Sequence, residues 1–181
     1  MRRLLPFLPF VVFAALATLF ATYGLHHDPQ VQPRALVGKP LPTIALPPIT
    51  GGAPRTVGQT VKGPALVNFF FSTCAPCAVE APQLMKLKAR GIQMVGIAYE
   101  DEPGNTLAFL DRLGNPFSSV LVDRAGNAGV DFGITGAPET FLVDSRGKII
   151  DKHVGVITDA DVDDLVRRIA ALRQAAALSP G

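Results

Sequence analysis

Cys74 and Cys77 are the only cysteines in the 181-residue chain, and Ala75-Pro76 lies between them. The thiolate is the reactive form of cysteine, and a helix N-terminus stabilises negative charge through its free N–H groups and dipole. A three-residue spacing puts both sulfurs on one face of a first turn, close enough to bond. Such a pair can attack a partner disulfide, form a mixed disulfide, and release the partner by closing on itself. Cys74, at the terminus, is the expected exposed nucleophile. Cys77, one turn inside, is the less accessible resolving thiol. A purely structural staple is the second reading, but so small a loop removes little chain entropy. Metal binding is the third. Two thiolates need two further ligands, and His26, His27 and His153, the only histidines, lie far away in sequence.

The flanking pattern supplies what the pair needs. Ala65–Phe71 is an almost continuous apolar run, the mark of a strand covered on both faces. A helix is expected from Pro76 to Arg90, apolar at Val79, Leu84 and Leu87, with Lys86, Lys88 and Arg90 near its C-terminal end. Gly91 stops it. Ile92–Tyr99 and Ser118–Val122 are further strands, with a short helix over Thr106–Leu113 between them. Thr140–Val143 and Lys148–His153 flank Asp144-Ser145-Arg146-Gly147 as an antiparallel hairpin. Asp159–Leu178 is a final amphipathic helix. Upstream, prolines and glycines between Gly38 and Pro54 leave room only for short strands near Thr43–Leu46 and Arg55–Val57. Alternating strands and helices followed by a hairpin predict an α/β fold, with a parallel sheet carrying an antiparallel edge.

Charge and length limit the remaining functions. Lys plus Arg number 17 and Asp plus Glu 15, and removing Arg2 and Arg3 makes the two equal. A neutral remainder argues against nucleic-acid binding, which needs a cationic face. Met1-Arg2-Arg3 precedes an uncharged run, Leu4–Leu25, which as a helix would be about 33 Å long against a hydrocarbon core of about 30 Å. Residues 1–25 are therefore expected to anchor the chain in a membrane, with the remainder outside the cytosol. A cleaved signal ending near Ala15-Leu16-Ala17 is the alternative. Residues 26–37 form a linker, 38–178 the domain and 179–181 a tail.

The chain resembles the thioredoxin superfamily, and within it the membrane-anchored thiol:disulfide interchange proteins of cytochrome c biogenesis (the DsbE/CcmG type). The resemblance spans Gly38 to Ala170. It rests on Gly63-Pro64-Ala65-Leu66-Val67-Asn68, on Cys74-Ala75-Pro76-Cys77-Ala78-Val79-Glu80 and on Gly91-Ile92-Gln93-Met94-Val95-Gly96 with Tyr99 and Glu100-Asp101-Glu102. Leu113-Gly114-Asn115-Pro116-Phe117 and the segment Gly133–Asp144, with its Gly136-Ala137-Pro138-Glu139-Thr140-Phe141, complete it. Two features depart from the family. Thr73 stands where a Trp usually precedes the first cysteine, and Phe69, Phe70 and Phe71 replace the usual strand aromatics.

The resemblance implies a thioredoxin-like fold, a mixed sheet flanked by helices behind one N-terminal transmembrane helix. It implies a cis Ala137–Pro138 bond facing the cysteines and offering backbone groups to an extended substrate. It places Glu80 and Glu139 around the site as candidate proton relays; a surface carboxylate is the plainer reading of each. Glu80, three residues after Cys77, shares its helix face. Asn68 stands where thioredoxins carry a buried Asp, and an amide cannot take that proton. Glu100-Asp101-Glu102 is either a solvated loop or a patch that selects partners. The implied function is a thiol–disulfide reductase in the bacterial inner membrane with its catalytic domain in the periplasm. It would act on apocytochrome c, draw electrons from a membrane thiol reductase, and need no cofactor beyond its own disulfide. Pro76 matches the reducing members of the superfamily. The alternatives are a reductant for other secreted clients, such as copper-site proteins, and a metal-binding chaperone.

Overall fold

The structure, a computed structural model, describes residues 10, 12–19 and 35–178. Residues 12–19 are helical, with Thr18 Oγ1 donating to Ala14 O at 2.7 Å. Among the described residues no helix is long and apolar enough to cross a membrane. Of the anchor expected over 1–25 only residues 10 and 12–19 are described; most of the 26–37 linker and the 179–181 tail lie outside the described residues.

The domain is built on five strands: β3 (Ala65–Phe70), β4 (Met94–Tyr99), β5 (Ser119–Asp123), β6 (Glu139–Val143) and β7 (Ile149–Val154). Their order across the sheet is β5-β4-β3-β6-β7. β3, β4 and β5 pair in parallel, and β6 and β7 add antiparallel. The apolar run thus becomes the central strand, buried at every position. Its alternation feeds two cores. Leu66 and Phe70 join Leu84, Leu87, Phe109, Phe117, Leu142 and Ile169 on one face. Val67 and Phe69 join Val95, Ile97, Leu121, Phe132 and Phe141 on the other.

Within residues 35–178 the helices are α1 (Val57–Thr60), α2 (Ala75–Ala89), α3 (Pro103–Leu113), α4 (Asn127–Phe132) and α5 (Asp159–Leu178). α2, α3 and α5 contribute to the first core and α4 to the second. The short strands β1 (Ala45–Leu46) and β2 (Arg55–Thr56) pair antiparallel. α1 is fixed by a capping box between Thr56 and Gln59.

The segment before β3 protects both sheet edges. Val122 N donates to Pro47 O and Ile49 N to Val120 O along β5. Gly38 N donates to Ile149 O, and Ile149 N to Lys39 O, along β7. Backbone groups that would otherwise invite another strand are thereby occupied. Leu36 and Val37 also pack on the second core, so the linker's last residues belong to the domain.

One element was not expected, and two expectations need correction. α4 did not stand out from the sequence; it is a six-residue helix set between Gly126 and Gly133, too short to show a period. Val79 does not face the core, because the buried stripe of α2 is Cys77, Glu80, Ala81, Leu84 and Leu87. Glu80, in turn, is fully buried rather than a surface carboxylate.

Candidate active site

Cys74 is the N-cap of α2, in extended backbone, with Pro76 in the first turn where a missing N–H costs nothing. The Cys77 N–H donates to Cys74 Sγ at 3.1 Å. The two sulfurs are bonded, and their Cα atoms are 5.2 Å apart. Cys74 is 4% exposed and Cys77 2%. Cys74 is thus not exposed as expected: with the disulfide closed and Ala137 O against its sulfur, it is covered almost as fully as Cys77. What separates them is position: Cys74 Sγ accepts the helix-terminal N–H, whereas Cys77 faces inward beside Asn68, Phe70, Glu80 and Ala81.

Opposite the disulfide runs the loop that enters β6. The Ala137–Pro138 peptide is cis, as expected. Ala137 O lies 3.6 Å from Cys74 Sγ. With the disulfide closed no S–H exists to donate, so this is a contact. Thr73, Ala75, Pro76 and Gly136 are exposed around it.

Behind Cys77 lies a buried polar cluster. Asn68 Nδ2 donates to Glu80 Oε1 and to Thr140 Oγ1, both at 3.0 Å. Ile157 N donates to Glu80 Oε2 at 3.2 Å. Burial pushes the Glu80 carboxyl up from its usual 4.5 to about 7, against the opposing pull of the Asn68 and Ile157 hydrogen bonds. Thr140 and Ile157 were not among the sequence candidates. They come from chain segments 60 and 77 residues after Glu80, with no local signal to join them to it.

A raised native pKa makes the folded protein bind more protons than the unfolded chain between pH 4.5 and about 7. Stability should therefore fall as pH rises through that window, by about 3 kcal/mol in all at about 1.4 kcal/mol per unit. Urea unfolding of the oxidised protein from pH 5 to 8 checks this. Glu80→Gln should remove that part of the pH dependence; an unchanged slope in the variant would place its origin in another group.

Glu139 is not part of this cluster. It pairs in register with Phe69, one step from the Asn68–Thr140 pair, so its side chain leaves the opposite face of the sheet. There Oε2 is 2.6 Å from Lys152 Nζ. The alternation of β6, which sends Thr140 to one side, sends Glu139 to the other, away from Glu80 and Cys77.

Asp101 is not a solvated member of an acidic loop. Its carboxylate accepts from Ser72 N and Ser72 Oγ at 2.8 Å, from Thr106 Oγ1 at 2.8 Å and from Glu102 N at 3.0 Å. It ties the turn before Cys74 to the end of β4 and the first turn of α3. Glu102 is engaged with Arg124 and only Glu100 of the three remains outside these ties. No cluster able to hold a metal ion occurs among the described residues.

A CxxC disulfide at the start of a helix, set on a mixed sheet and faced by a cis-proline loop, defines a thiol–disulfide oxidoreductase of thioredoxin-like fold. Comparison with known proteins agrees. The chain belongs to the Redoxin family, whose pattern matches residues 36–169, and within it to the thiol:disulfide interchange proteins of the DsbE type. It is 38% identical over 173 residues to thiol:disulfide interchange protein DsbE of Pseudomonas fluorescens biotype C, covering 95% of this chain and 97% of that one. It is 38% identical to thiol:disulfide interchange protein HelX of Rhodobacter capsulatus, covering 88% and 91%. Among solved structures, a thioredoxin-family thiol:disulfide interchange protein of Chlorobium tepidum superimposes with a TM-score of 0.57 at 29% identity, covering 72% of this chain and 94% of that one.

Proposed function

We propose that the chain is a periplasmic reductase anchored in the inner membrane, which reduces the haem-attachment cysteines of apocytochrome c. The observation that carries the exchange chemistry is the Cys74–Cys77 disulfide at the N-terminus of α2 beneath the Ala137–Pro138 loop. Kinship with DsbE and HelX supports the client class, and the uncharged run behind Arg2 and Arg3 supports the anchor.

In this reading the Cys74 thiolate of the reduced protein attacks a client disulfide. One client sulfur bonds to Cys74 and the other leaves as a thiolate that takes a proton. Cys77 then attacks Cys74 Sγ and expels the second client sulfur, which is protonated in turn. Glu80 accepts the proton that Cys77 loses. The client gains two electrons and two protons, and the protein is left as the closed disulfide. A membrane thiol reductase reopens it. Asn68 and Ile157 hold Glu80 through their N–H groups, and Pro138 and Ala137 supply the backbone against which the client lies.

A reductase needs a low potential. Equilibration against a glutathione series should place the Cys74–Cys77 couple nearer the thioredoxin end of the scale, about −270 mV, than the DsbA end, about −120 mV. A value at the oxidising end would overturn the direction of electron flow. A low potential without reduction of apocytochrome c peptides would instead favour another secreted client.

A further inference from the structure

The side chains of Glu139 and Lys152 are each 1% exposed, yet the exchange chemistry uses neither. Removing two charges from water is costly, and only excellent geometry offsets the cost. Here the geometry converges on one segment. Glu139 Oε1 accepts from Thr135 N at 2.9 Å and from Thr135 Oγ1 at 2.6 Å. Lys152 Nζ, 2.6 Å from Glu139 Oε2, donates to Gly133 O at 2.9 Å. The ammonium also sits 5.2 Å from the Phe141 ring centroid. Both charges therefore grip the start of the loop that runs from Gly133 to Pro138. At its far end Ala137 O is 3.6 Å from Cys74 Sγ, and Pro138 O accepts from Gly155 N at 2.9 Å. Only Gly136 separates the gripped Thr135 from Ala137, so the grip sets where Ala137 stands.

We propose that the buried Glu139–Lys152 pair is a positioning clasp, which holds the Gly133–Pro138 loop against Cys74 from the far face of the sheet and so governs capture of extended protein disulfides. The proposal rests on the reading above that Cys74 attacks a client lying along this loop. A small disulfide touches the sulfur but not the loop; an extended peptide must touch both. Loosening the clasp should therefore separate the two substrates.

The test uses the reduced full-length protein against hydroxyethyl disulfide and against a disulfide-bonded peptide. Lys152→Met should lower the ratio of peptide rate to small-disulfide rate on the order of tenfold or more, since an ångström of misplacement can cost up to about a hundredfold. Because that variant strands a buried carboxylate, the neutral pair Glu139→Gln/Lys152→Met is measured beside it; it removes the clasp without leaving one charge alone. A lowered ratio in the neutral pair supports the clasp. Parallel loss on both substrates, or an unchanged ratio, overturns it. Wild-type protein inert toward both disulfides would overturn the exchange reading itself, a result distinct from any change in the ratio.

Discussion

Glu80→Gln is expected to slow release of a captured client on the order of a hundredfold at neutral pH while leaving capture close to wild type. Gln has the size of Glu but cannot take a proton. Asn68 Nδ2 keeps an oxygen to bond, and the side chain still fills its place beside Cys77. What disappears is a buried acceptor whose pKa, near 7, is well matched to receive a proton from a thiol of ordinary pKa about 8.5. Capture should survive because it depends on Cys74, held by the helix-terminal N–H of Cys77 and not by Glu80. Quenched-flow measurement of the mixed disulfide resolves the two steps. In the wild type, its decay should accelerate as pH rises through the Glu80 titration. In the variant that inflection should vanish, leaving only the thiol's own ionisation. Identical decay profiles would mean that the proton leaves Cys77 by another route.

The sequence displayed the centre of this site and hid its surroundings. Cys74 and Cys77 were legible because an apolar strand run, a CxxC and a helical period follow one another without a gap. The two edges of the sheet were harder. Their cover comes from Gly38–Leu41 and Pro47–Ile49, proline-broken segments whose pairing is with strands 70 or more residues away. Glu80 was legible as a neighbour of Cys77 by helical spacing. Its burial was not, because that depends on Asn68, Thr140 and Ile157 closing over it from three other segments. Glu139 shows the opposite difficulty. Its place one residue after Pro138 suggested the site, but the β3–β6 register puts it opposite Phe69 and turns it to the far face. A one-residue shift in register would reverse that assignment, and no local pattern in Glu139-Thr140-Phe141-Leu142-Val143 fixes it. Asp101 misled for a related reason. An acidic triplet has the composition of a solvated loop, and only the approach of Ser72 and Thr106 makes its middle member a buried tie.

The largest effect belongs to the cysteines, and it should be asymmetric. Cys74→Ala is expected to reduce exchange with any disulfide to the uncatalysed rate. Cys77→Ala should instead capture one client per protein and stop. Exposure does not produce this asymmetry, because both residues are almost fully covered in the closed form. It follows from where each sulfur sits once the bond opens. Cys74 Sγ stands at the N-cap, where the Cys77 N–H and the α2 dipole favour its thiolate. Exposed Thr73, Ala75 and Pro76 surround it. Cys77 lies a turn deeper, beside Phe70, Ala81 and Asn68, where a client sulfur would have to displace packed side chains. Its reach is limited to the neighbour three residues back, which suits it for release alone. Alkylation followed by mass spectrometry of the Cys77→Ala protein should therefore show a mixed disulfide at Cys74. Expressed in cells with residues 1–37 intact, that variant should retain apocytochrome c and a membrane thiol reductase. Continued turnover in Cys77→Ala, or capture at Cys77 in Cys74→Ala, would reverse the assignment of attacking and resolving thiols. Capture of wholly different clients would leave the chemistry in place and move the protein to another pathway of secreted thiols.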